Sequence, residues 1–206
     1  MKQKLFQLAI ILLSFGRLLG QSSGVGNLVP NPQFELMTPS SQTYTYYNPQ
    51  MECFNKSCTE MQNLFRVSPA QQWTLWLGSL LKNSCVLAEL VRAGSNCIPM
   101  WPNYVMGNMM HVKTTVSGSG IVNSDIPAGN TSVKVSCWVY VIKGKVSLGY
   151  GPTGNPIVTV VSKSNCKWER LEVTKSGTET CNQIVIYATN QLDAEFYVDA
   201  VSVNKF

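Results

Sequence analysis

The sequence is short of charge. Only 13% of its 206 residues are Asp, Glu, Lys or Arg, and no run of like charges occurs. A nucleic-acid surface needs clustered Lys and Arg, so that class is excluded. The sequence has a single histidine, His111, and no CxxC pair. A zinc site built from paired Cys and His therefore has no footing. HExxH is also missing, which removes the zinc-hydrolase signature. A Cys–His nucleophile would have to use His111, whose surroundings, MMHVKTT, read as strand. A glycosidase needs two positioned carboxylates, and no short motif marks a pair among the 11 acids. The chain is therefore read as non-enzymatic. Internal repeats and low-complexity linkers are absent, which leaves one domain as the simplest organisation.

Long apolar runs are confined to the start. Lys2 and Lys4 precede an apolar stretch over 5–15, interrupted only by Gln7 and Ser14, and Gly20 stands as the expected last residue before cleavage. That is the layout of a secretory signal over 1–20, with cleavage expected before Gln21. Arg17 cuts the stretch below the roughly 20 apolar residues a membrane anchor needs. No membrane span is expected after cleavage, and 21–206 is expected to form the single domain. Removing Lys2, Lys4 and Arg17 leaves 13 basic residues against 11 acids, so the formal +5 falls to about +2. A surface this poor in charge leans on Ser, Thr, Asn, Gln and Tyr, groups suited to hydrogen-bonding sugars.

All seven cysteines follow the signal: Cys53, Cys58, Cys85, Cys97, Cys137, Cys166 and Cys181. In an exported chain the default reading is disulfides. Close spacing makes Cys53 with Cys58, and Cys85 with Cys97, the easiest candidates. The odd count leaves at least one thiol free or paired between molecules. Two glycosylation sequons occur, at Asn55 and Asn130. Secretion to the extracellular space or a cell wall is the expected destination.

The second half is the more regular. Residues 131–142, TSVKVSCWVYVI, alternate Val133, Val135, Cys137, Val139 and Val141 against Lys134, Ser136, Trp138, Tyr140 and Ile142. Period-two alternation of β-branched and aromatic residues predicts a strand. Further strands are predicted at 109–116, 121–126, 146–150, 157–162, 168–174, 184–189 and 196–203, separated by turn signals such as GPTGNP. The first half is irregular. Residues 27–35 carry two prolines and read as extended edge structure, and 37–61 reads as a cysteine-containing loop. Residues 69–92 fit helix and strand about equally. Short strands at near-regular spacing indicate an all-β sandwich.

The two ends are the most informative segments. The mature chain opens with NLVPNPQFE (27–35) and closes with EFYVDAVSV (195–203). Between them come Trp73 and Trp76, a Gly-led strand from Gly107, GSGI (118–121), WVYV (138–141) and KWERLEV (167–173). This order resembles the carbohydrate-binding modules of the family 4, 9, 16 and 22 group. More distantly it resembles plant cell-wall proteins of the DUF642 type. The resemblance implies a galactose-binding-like jelly-roll β-sandwich, with an irregular cysteine-containing insertion in the N-terminal half. It also implies a non-catalytic protein whose partner is a polysaccharide or oligosaccharide. An extracellular protein, such as a wall enzyme, is the alternative partner on the same fold.

The resemblance further implies a structural calcium where the chain ends meet, held by Glu35 and Asp199 with carbonyls near Gly107. Two acids from opposite ends of the sequence, with carbonyls, supply the hard oxygens calcium takes. Sugar binding needs flat aromatic faces beside polar groups. Trp138 and Tyr140 lie on the face opposite the valines, and Tyr150 on the following strand could extend that platform. Trp101 and Tyr104 lie in a loop. These five are the candidate sugar-binding residues. The resemblance places Trp168 in the core, so it is left out.

Overall fold

Among the described residues ten strands form, and the pattern of the sequence accounts for most of them. A computed structural model describes residues 26–36, 70–76, 86–92, 107–115, 117–127, 129–189 and 193–206. Its strands are β1 (Thr74–Trp76), β2 (Val86–Arg92), β3 (Asn108–Thr114), β4 (Gly120–Asn123), β5 (Val133–Lys143), β6 (Val146–Gly151), β7 (Val158–Val161), β8 (Trp168–Lys175), β9 (Gln183–Ala188) and β10 (Ala194–Lys205). They pair antiparallel into two five-stranded sheets, ordered β1-β4-β9-β6-β7 and β2-β3-β10-β5-β8. The described residues include no helix. The architecture is the jelly-roll β-sandwich expected from the sequence.

The core lies between the sheets. On β5 the inward set Val133, Val135, Cys137, Val139 and Val141 is buried, while Trp138 and Tyr140 on the other face are half-buried. β10 contributes Phe196 and Val198, then Val201 and Val203. That set skips one residue, because β10 bulges between Asp199 and Ser202, with Ala200 at φ +48°. A bulge inserts an extra residue and re-aims its neighbours. The change of parity lets both apolar pairs face inward and leaves Asp199 on the outer face, opposite Trp138.

The ambiguous first half resolves into strands. In β1, Leu75 is buried between half-buried Thr74 and Trp76. In β2, Val86, Leu87 and Ala88 are all buried, so both faces are covered and no clean alternation shows. Only the start of the N-terminal segment runs along the C-terminal strand; the extended structure expected over 27–35 gives way to turns at 30–34, with Asn31 and Phe34 at positive φ. Asn27 bridges Asn204, and Leu28 N donates to Val203 O at 2.8 Å. The Asn27 amide accepts from Val29 N and Val203 N and donates to Val201 O. Phe34 then packs on Trp73, with ring centroids 5.0 Å apart.

Two aromatic assignments are corrected. Tyr150 is 2% exposed and its hydroxyl donates to Cys181 O at 3.3 Å. It sits on β6, in the opposite sheet from β5, so it cannot extend the Trp138 and Tyr140 face. Trp168 is not a core residue. It opens β8 half-buried, in register with Tyr140. The valines of β5 already fill the inner side of that sheet, so a residue in register with Tyr140 points outward.

Candidate functional site

The outer face of β2-β3-β10-β5-β8 carries one row of side chains that crosses all five strands. Register places Glu89 on β2 opposite His111 on β3, His111 opposite Tyr197 on β10, Tyr197 opposite Tyr140 on β5, and Tyr140 opposite Trp168 on β8. With strands about 4.8 Å apart, such a row is about 19 Å long. The rings interlock along it. His111 stacks on Tyr197 at 4.4 Å and 10°. Tyr197 meets Tyr140 edge-on at 6.4 Å, and Tyr140 meets Trp168 edge-on at 5.7 Å. Met109, Val91 and Tyr197 pack in the same outer cluster. The neighbouring row brings Trp138 opposite Arg170 and Asp199.

The β2–β3 end of the row is charged. His111 Nδ1 lies 2.7 Å from Glu89 Oε1, and Nε2 lies 2.9 Å from Glu195 Oε1. Lys113 Nζ is 3.1 Å from the same Glu195 oxygen. Burial, with Glu195, Glu89 and Tyr140 nearby, pushes the Tyr197 phenol above its ordinary range. Towards β8, Arg170 donates to Ser136 Oγ at 3.2 Å and pairs with Glu172 at 3.1 Å. The face therefore offers ring surfaces flanked by hydrogen-bonding groups, which is the chemistry a polyol with apolar CH patches can use.

Glu35 and Asp199 are brought near each other, although they lie at opposite ends of the sequence. Burial pushes the Asp199 carboxyl up to about 7, the Ala200 N–H at 2.6 Å opposes this, and the Glu35 charge adds to the rise. Glu35 Oε1 accepts from Asn108 N at 2.8 Å and lies so close over Gly107 that a Cβ there would collide with it. Two carboxylates that repel each other, one of them desolvated, form a place a cation would relieve. Among the described residues no group of three or more His, Cys, Asp or Glu forms a metal cluster.

A cavity of about 320 Å³ lies along the N-terminal segment, lined by Asn27, Asn31, Gln33, Glu35 and Asp125 among others. Asn27 and Asn31 both spend their side-chain amides on backbone groups. The polar side chains it leaves for a ligand are those of Gln33, Glu35 and Asp125.

Of the residues singled out from the sequence, Tyr140 and Trp138 lie on the shared face. Trp101, Tyr104, Cys53, Cys58, Cys85, Cys97 and Asn55 lie outside the described residues. Asn130 is exposed, as a glycosylation acceptor must be. Cys137, Cys166 and Cys181 are unpaired; the first and last are buried and Cys166 is exposed. Sequence reasoning missed Trp168, Tyr197, His111, Glu89 and Glu195. For Trp168 the available signal was strand parity, since it sits out of phase with buried Leu171; in β10 the bulge breaks that signal, because Tyr197 shares its parity with buried Val201 and Val203.

No protein-family model matches the sequence, and no curated protein matches it. Among solved structures the chain is similar to several carbohydrate-binding modules. The family 11 module of a Clostridium thermocellum cellulosomal cellulase matches at 14% identity and a TM-score of 0.47, over 67% of this chain and 90% of that one. The CBM22-1 xylan-binding domain from Paenibacillus barcinonensis matches at 18% identity and 0.41, over 66% and 86%. TmCBM61, solved with β-1,4-galactotriose, matches at 15% identity and 0.43, over 87% and 99%. What this chain binds has to be argued from its own surface.

Proposed function

We propose that the chain binds carbohydrate outside the cell without transforming it, using the outer face of β2-β3-β10-β5-β8. The observation that carries this reading is the row of rings, Tyr197, Tyr140 and Trp168, running across the strands with Trp138 beside it. The half-buried rings of Tyr140, Trp168 and Trp138 supply surfaces for the CH faces of a sugar chain. Arg170 supplies a partner for its hydroxyls. Glu89 is engaged by His111, and Glu195 by His111 and Lys113.

Retention on cellulose, xylan, β-glucan and pectin, together with a glycan array, tests the reading. The wild-type protein is expected to be retained on at least one. Tyr140→Ala combined with Trp168→Ala removes two of the rings and should cost about 2 kcal/mol, roughly thirtyfold in affinity. Circular dichroism checks that the fold survives. Undiminished retention by the folded double variant would sink the assignment of the face. Retention on no polysaccharide, with an extracellular protein captured instead, would sink the carbohydrate reading.

We also propose that Glu35 and Asp199 hold a calcium ion where the chain ends meet. When bound, the ion would neutralise the two carboxylates and fasten the N-terminal segment to β10. The support is their mutual repulsion beside Gly107, which leaves no room for a side chain there.

A further inference from the structure

His111 is the sole histidine of the chain, and both its ring nitrogens face carboxylate oxygens, at 2.7 and 2.9 Å. Counting protons constrains this arrangement. A neutral imidazole has one N–H and one lone pair, and an ionised carboxylate only accepts. With a neutral ring and both acids ionised, one contact would set a lone pair against a carboxylate. Both contacts can be hydrogen bonds only if the cluster carries one further proton, on the ring or on one of the acids. With that proton present, and Lys113 Nζ at 3.1 Å from Glu195, the cluster is neutral overall: two charges of each sign if the proton is on the ring, one of each if it is on an acid.

The ring that packs on His111 is Tyr197. His111 is itself buried, so it offers little surface to a ligand, but its ring lies flat on Tyr197. Tyr197 in turn meets Tyr140 edge-on. The charged and titratable groups around the imidazole come from three strands: Glu89 on β2, Lys113 on β3, and Glu195 and Tyr197 on β10. Tyr140 on β5 lies beyond Tyr197.

We propose that His111 is a positioning residue of the binding face: one shared proton ties it to Glu89 and Glu195, and so fixes Tyr197 and, through it, Tyr140. The proposal rests on reading this face as the ligand site. Loss of the proton replaces one hydrogen bond with a repulsion and frees the imidazole to turn. Ligand affinity then falls as pH rises, with the slope of a single proton. Glutamine at either acid removes the requirement. In Glu195→Gln the amide N–H donates to the Nε2 lone pair while Nδ1–H donates to Glu89, so both bonds persist with no further proton.

The test uses the full chain with labelled histidine. Nitrogen spectra of the one imidazole are followed against pH, without ligand, alongside the ring signals of Tyr197 and Tyr140. Affinity for soluble β-glucan and xylan is measured in the same buffers. As the shared proton leaves, the tyrosine signals should move and affinity should fall about tenfold, the order one charge-assisted hydrogen bond supplies, with a common midpoint. Glu195→Gln and Glu89→Gln should hold their affinity across the series. His111→Ala should bind weakly at every pH; if it does not fold, the two glutamine variants carry the test. Tyrosine signals that stay fixed while the imidazole changes charge would overturn the proposal. So would a glutamine variant that keeps the wild-type pH profile. If neither polysaccharide is bound, the ligand reading fails, while the ligand-free spectra still decide whether the proton holds Tyr197.

Discussion

Replacing Asp199 by asparagine should stabilise the metal-free protein. The Asp199 carboxyl is raised from its ordinary 3.8 to about 7, chiefly by burial and further by the Glu35 charge. A shift of about three units, at 1.36 kcal/mol each, caps the cost of ionising it in the folded state at about 4 kcal/mol. The group is partly exposed, and solvent screening brings the working figure to about 2 to 3 kcal/mol. The folded protein holds this proton more tightly than the unfolded chain. The cost is therefore fully present above pH 7, shrinks as pH falls towards 3.8, and is gone below it. Wild-type stability in chelator should accordingly rise as pH is lowered from about 8 to about 5. Asparagine keeps an oxygen for the Ala200 N–H and carries no charge. Asp199→Asn should thus melt roughly 5 to 10 °C above wild type at pH 8 in chelator, and near it only at about pH 4, where the cost is almost gone. Calcium should raise the melting temperature of wild type and leave that of Asp199→Asn unchanged. Thermal melting by circular dichroism at both pH values, with chelator and with calcium, measures all of this. A variant that melts at or below wild type at pH 8 in chelator would refute the reasoning.

Three further substitutions probe the frame around the face. Tyr150→Phe removes the 3.3 Å bond to Cys181 O; it should lower stability by about 1 kcal/mol and leave polysaccharide retention unchanged. Gly120→Ala sets a methyl 2.7 Å from Tyr187 Cα and against the Ile186 carbonyl. Overpacking at this strand crossing should cost about 1 to 3 kcal/mol in urea unfolding. Lys175 is fully buried, and its ammonium caps the carbonyls of Gly177 at 2.9 Å and Glu179 at 2.5 Å. Lys175→Met leaves both oxygens without that donor and should cost about 1 to 3 kcal/mol by the same measurement.

Much of the fold was legible because one face of most strands is apolar and the other is not. The valines of β5 announce both the strand and its inner face, and they place Trp138 and Tyr140 outside. β2 was ambiguous because both its faces are covered, which erases the alternation. The candidate site was only half legible. Tyr140 could be placed on a face from its own strand, whereas its neighbours come from β8 and β10, and their register is a long-range property. Tyr150 was misplaced for the same reason. Adjacency in sequence suggested adjacency in a sheet, but the chain crosses to the other sheet between β5 and β6. The bulge at Ala200 hid the parity of β10, since strict alternation through EFYVDAVSV would bury Ala200 and Ser202 in place of Val201 and Val203.

The central claim is that one face of one sheet receives a sugar chain across its strands. The direct measurement is the map of amide and ring signals that move when a retained oligosaccharide is titrated into the labelled protein. The account predicts that the moving signals cluster at His111, Tyr197, Tyr140, Trp168 and Trp138 while Tyr150 and Tyr187 stay still. Shifts gathered on β4, β9 and β6, or along the cavity of the N-terminal segment, would contradict it.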